Sequence, residues 1–193
     1  YYGSHEYYGT EDIDGFIPVK TGLGQGTGRS GAEIGIAYKL DGNGRTTAII
    51  KCAQGATPIY PIEGNTTIEK HGSWTPPSFM EKYPELIKHE NVGKMYERLI
   101  STLESGIGSL EKSGYDVNVK GIFWMQGEAE TSRENAANAY QELLTDLIYD
   151  MLLSGYNSKL FVEMSEKRGI FYDTSGATER YLNIGTMYFS YEL

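Results

Sequence analysis

The chain has 193 residues, 39% of them apolar, enough for one globular domain whose core needs neither a metal nor a crosslink. Its 26 acidic side chains against 17 Lys and Arg give a net charge of −9, which argues against nucleic acid or an anionic membrane surface as main partner. A lone cysteine, Cys52, excludes an internal disulfide framework and leaves both a secreted and a cytoplasmic location open.

No apolar run approaches the ~18 residues of a membrane span. The opening Tyr1-Tyr2-Gly3-Ser4-His5 has no leader-like pattern and no initiator Met, so the sequence reads as a mature, processed or truncated chain. Residues 1–31, rich in Gly, Tyr and acids without a sustained period, read as loop. A short helix is expected over 32–40, closed by Asp41-Gly42-Asn43-Gly44. The β-branched run from Thr46 to Cys52 reads as a buried strand ending at Gln54-Gly55. Residues 56–84 hold five of the six prolines and form a long connection with little regular structure.

Apolar residues then recur at three- and four-residue spacing from Val92 to Leu110, with Gly114 as the stop, which predicts an amphipathic helix. The run from Val117 to Met125 reads as a strand covered on both faces, leading into Gln126-Gly127-Glu128. A second helix is expected from Ala136 to Leu152, closed by Gly155, and a third strand from Lys159 to Met164. Buried strands alternating with amphipathic helices predict an α/β layer fold with a parallel sheet. Ligands bind beyond the carboxyl ends of such strands, where Gly55 and Gln126 fall.

A glycine after a buried strand either makes a tight turn or offers its N–H to negative charge developing on an acyl oxygen, and Gly55 fits both. Gln126 is positioned in sequence to add a carboxamide donor, and Glu128 to orient a neighbour or titrate; the bland alternative is a polar strand end entering solvent. Trp74 suits either a sugar-stacking wall or a buried anchor for the long connection. Ser30 imitates half of a Gly-x-Ser-x-Gly elbow, but Ala32 holds the last position and no buried strand precedes it. His5, His71 and His89 show no metal-ligand spacing, and Cys52 reads as a small core residue. The Gly22 to Gly28 tract fails the phosphate-loop patterns and reads as a flexible loop. Asn65-Thr66-Thr67 is a glycosylation sequon, relevant only in a eukaryotic secretory setting.

Together, Ile50-Lys51-Cys52-Ala53-Gln54-Gly55-Ala56-Thr57, Ser73-Trp74-Thr75-Pro76-Pro77-Ser78 and above all Trp124-Met125-Gln126-Gly127-Glu128-Ala129-Glu130 resemble the SGNH-hydrolase superfamily. Within it they resemble the sialate O-acetylesterase-like branch, carbohydrate esterase family 6. Gly31-Ala32-Glu33 resembles the family's Gly-Pro-Glu segment. The resemblance implies a flavodoxin-like three-layer α/β/α sandwich in a single domain, and a serine esterase removing acetyl groups from acetylated carbohydrates without metal or organic cofactor. It also implies that Gly55 and Gln126 match two oxyanion-hole donors and Glu128 the acid beside them. Ala56 stands where the family usually has a second glycine. The family's Gly-Gln-Ser-Asn and Asp-x-x-His blocks have no match here. The first belongs before Tyr1, and the second is skipped just ahead of 181–188, which resembles the closing helix. The alternative is a carbohydrate-binding or structural relative that has lost the catalytic Ser and His.

Overall fold

The computed structural model describes residues 2–4, 15–23, 30–40, 46–152, 173–181 and 184–192. Among them the order of elements is β1 (Tyr2–Ser4), α1 (Glu33–Leu40), β2 (Ile50–Cys52), α2 (Thr66–His71), α3 (Pro77–Lys82), α4 (Lys94–Lys112), α5 (Glu134–Leu152), β3 (Asp173–Tyr181) and β4 (Ile184–Glu192), with single 3₁₀ turns at Pro84–Leu86 and Glu128–Ser132. The chain divides into two compact units, 1–57 with 95–126, and 58–94 with 127–193. Helices and a parallel strand pair make the fold α/β.

In the first unit β1 and β2 run parallel, Tyr2 opposite Ile50 and Ser4 opposite Cys52. The strand expected from Thr46 is thus realised over three residues. Helix α4 follows its spacing, burying Met95, Tyr96, Thr102 and Gly106. It stops at Gly114, whose φ of 85° is the left-handed conformation a helix terminator needs.

The expected strand from Val117 to Met125 does not form: residues 115–127 carry no ladder, and Phe123 and Met125 are 74% and 80% exposed. A strand exists only through a neighbour's N–H and C=O groups. The described partner of β2 is β1, and this apolar run has none among the described residues.

In the second unit α5 buries Ala136, Leu143, Leu147 and Met151, one stripe of a 3.6-residue period. Two short helices interrupt the connection read as structureless. Asn65 caps α2, its side-chain oxygen accepting the N–H groups of Thr67 at 2.8 Å and Ile68 at 3.1 Å. Pro77 occupies the first turn of α3, where its missing N–H costs nothing. Ile62, Ile68 and Val92 form the core here, with Tyr60, Met80 and Ile87 packed against them. Phe79 lies between two tyrosines, its ring centre 6.5 Å from Tyr60 and 4.7 Å from Tyr83.

The segment resembling a closing helix is instead part of an antiparallel hairpin, β3 with β4, from Asp173 opposite Glu192 to Tyr181 opposite Ile184. Its Thr, Tyr, Phe and Ile content suits a pleated strand better than a helix. The expected strand 159–164, the Asp41–Gly44 turn, Gly155, His5 and most of the Gly22–Gly28 tract lie outside the described residues.

Candidate functional site

Beyond β2 the chain turns at Gly55-Ala56. The Thr57 hydroxyl donates to the Gln54 carbonyl at 2.7 Å and closes the turn. Gly55 is exposed, and its N–H meets no partner among the described residues. Ala56 has φ of 61°. That is the left-handed region, costly for any residue with a Cβ, so the position favours the second glycine of the family pattern.

The Gln126 side chain reaches this turn, its Nε2 donating to the Thr57 carbonyl at 3.2 Å. Within the first unit the structure thus brings Gln126 to a point two residues from Gly55. Gln54 is buried at 7% exposure, and neither its oxygen nor its nitrogen has a hydrogen-bond partner among the described residues.

Glu33, in the segment resembling Gly-Pro-Glu, is buried beneath the same unit's surface. It accepts the Gly31 N–H at 2.8 Å and the Lys51 ammonium at 3.0 Å. Burial works to raise its pKa, but those two partners outweigh it and hold the carboxyl below its usual value. The Cys52 thiol, by contrast, is pushed up to about 11 by burial, which makes it a poor nucleophile.

In the second unit Gly127 has φ of 139°, and a Cβ there would lie 3.2 Å from the Tyr140 ring. The middle of the Gln-Gly-Glu block therefore admits glycine on two grounds. Glu128 stands exposed at the start of the 3₁₀ turn. Glu130, which sequence reasoning passed over, is buried and accepts the N–H groups of Ile59 at 2.5 Å and Tyr60 at 3.3 Å. The Thr75 hydroxyl donates to the Ile59 carbonyl at 2.7 Å and bonds the Ser73 hydroxyl, which accepts the Gly93 N–H at 3.1 Å. Buried side chains here do the work of a neighbouring strand, satisfying backbone that no ladder covers. The only signal for this in the sequence was a second acid in Gln-Gly-Glu-Ala-Glu.

Trp74 is 4% exposed, and its backbone N–H donates to the Pro58 carbonyl at 2.9 Å, an environment that suits the anchor of the connection more than a sugar wall. Ser30 Oγ accepts the Gly22 N–H at 3.0 Å and closes a loop. His89 Nδ1 accepts the Asn91 N–H at 3.1 Å.

No curated protein and no solved structure matches the sequence. The family described as carbohydrate esterase, sialic acid-specific acetylesterase matches residues 11–162. That span includes the Gly55 turn, the Ser-Trp-Thr block and the whole of the Gln-Gly-Glu segment, and the chain belongs to this family.

Proposed function

We propose that this chain supplies the oxyanion-stabilising half of a serine-type carbohydrate O-acetylesterase, on a flavodoxin-like three-layer α/β/α scaffold of the SGNH kind forming one domain. The observation that carries the reading is the Gln126–Thr57 bond, which fastens the carboxamide of the family's most specific motif to the turn that displays Gly55. In the reaction a serine hydroxyl attacks the acetyl carbonyl while a histidine takes its proton. The oxygen that gains the charge is met by the Gly55 N–H and the carboxamide N–H of Gln126. The sugar hydroxyl then leaves with the proton, and water releases acetate from the acyl-serine. Glu128 serves as the acid of the same motif, orienting a neighbouring group or titrating. The substrate is an acetylated carbohydrate.

A second reading rests on a different observation: none of the 193 residues forms a Gly-Gln-Ser-Asn or an Asp-x-x-His block. It takes the protein as a carbohydrate-binding relative without turnover. One experiment separates the two. The complete reading frame that encodes this sequence is expressed and assayed on p-nitrophenyl acetate and on O-acetylated sugars. Under the esterase reading it hydrolyses both, and Gln126→Ala lowers kcat by roughly 10²–10³-fold, the usual effect of losing one oxyanion donor. Near-normal turnover in that variant removes Gln126 from its role, and sugar binding without hydrolysis establishes the second reading.

A further inference from the structure

In the second unit α3 packs against α5, and the two helices run in opposite senses. Ser78 at the start of α3 meets Asp150 near the end of α5, while Lys82 and Tyr83 at the far end of α3 meet Glu142. Two polar ties thus hold one interface, and their electrostatics differ. At the Glu142 end the carboxylate lies against the Lys82 ammonium and accepts the Tyr83 hydroxyl at 3.1 Å, so its charge is answered. At the other end Asp150, 7% exposed, accepts the Ser78 N–H at 2.9 Å and forms no ion pair among the described residues.

Helical spacing adds negative charge to that end. Asp146 lies one turn before Asp150 on α5, and Glu81 lies one turn after Ser78 on α3. Asp150 also stands in the last turn of α5, where the helix dipole disfavours an anion. The basic side chain of α3, Lys82, is already held by Glu142. One neutral N–H is a weak counterweight to lost hydration and two like charges, and burial, with Asp146 and Glu81 behind it, lifts the Asp150 carboxyl above its ordinary range. A protonated carboxyl keeps an acceptor oxygen, so proton uptake removes this penalty without giving up the bond to Ser78.

We propose that Asp150 is an acid-tightened latch, which holds α3 on α5 loosely while charged and firmly once protonated. Helix α3 directly continues the Ser73-Trp74-Thr75-Pro76 segment, so the latch sets how firmly that block is anchored. The inference concerns the second unit alone and does not depend on ester hydrolysis. The unfolded carboxyl titrates near 3.8 and the folded one higher, so between those values the folded chain holds the extra proton. Stability contributed by this group is therefore gained as pH falls through that window, opposite in sign to the contribution of Glu33.

Urea midpoints of the chain, of Asp150→Asn and of Glu81→Gln are compared from about pH 7 to about pH 4. Asp150→Asn keeps the shape and the acceptor but is neutral throughout. At pH 7 its midpoint exceeds the parent's by roughly 0.5 M, and the advantage shrinks as pH falls. Glu81→Gln, at an exposed position, gives a smaller gain of the same sign because one neighbouring charge is removed. Hydrogen exchange of residues 77–82, corrected for its intrinsic pH dependence, slows in the parent relative to Asp150→Asn as pH is lowered. An Asn variant less stable than the parent at pH 7 overturns the proposal, since the charged bond to Ser78 then outweighs burial. Parallel profiles, or a gap that widens in acid, overturn it as well.

Discussion

The carboxylate of Glu130 takes the backbone N–H of Ile59 at 2.5 Å while the Thr75 hydroxyl holds the carbonyl of the same residue at 2.7 Å. One peptide stretch outside any sheet is thus gripped at both polar groups by buried side chains. Glu130→Ala leaves the amides of Ile59 and Tyr60 without their acceptor, and stability should fall by about 2–4 kcal/mol. Glu130→Gln keeps an acceptor oxygen and should lose less. Urea denaturation followed by tryptophan fluorescence checks both, and an alanine variant as stable as the parent would show that water replaces the carboxylate at no cost.

Ala56 sits at φ of 61° in the turn that presents Gly55. The left-handed conformation costs an L-residue about 1–2 kcal/mol, partly offset by the extra freedom glycine has when unfolded. Ala56→Gly is therefore expected to stabilise the chain by about 0.5–1 kcal/mol. A lower thermal midpoint in the variant would contradict the strained turn.

The buried Gln54 carboxamide has both polar ends unsatisfied among the described residues, while its backbone carbonyl holds the Thr57 hydroxyl. Gln54→Met keeps the length and the backbone bond and removes the desolvated amide, so stability should rise by about 1 kcal/mol. Chemical denaturation is the measurement, and an unchanged or lower midpoint would mean that the amide is solvated in place.

Two long helices could be read from the sequence, because α4 and α5 owe their form to a local three- and four-residue spacing. The short helices could have been found too, from Asn65 at a cap and Pro77 at a first turn. The apolar run to Met125 misled because hydrophobicity says nothing about whether a neighbouring strand is at hand. Glu130 escaped notice for a related reason: a carboxylate that ties down distant backbone looks, in one dimension, like any acid bound for solvent.

Acid should also weaken the Glu33 contacts. The folded pKa of this carboxyl lies below the ordinary 4.5, so its contribution is complete above that value and is lost as pH falls through the depressed folded value. Glu33→Gln should flatten the acid limb of a stability–pH profile and lower stability near neutrality, where the Lys51 bond is fully formed. Parallel profiles for parent and variant below pH 5 would rule this out.

The run that failed to become a strand leaves one more mark on the molecule. Met125 shows its thioether to solvent, whereas Met95 and Met151 are enclosed. Peroxide therefore reaches the sulfur of the residue preceding Gln126 before it reaches those two. Conversion to the sulfoxide puts a polar, chiral group on the residue that leads into Gln126, so oxidative ageing of a preparation marks this segment while the enclosed methionines are still intact.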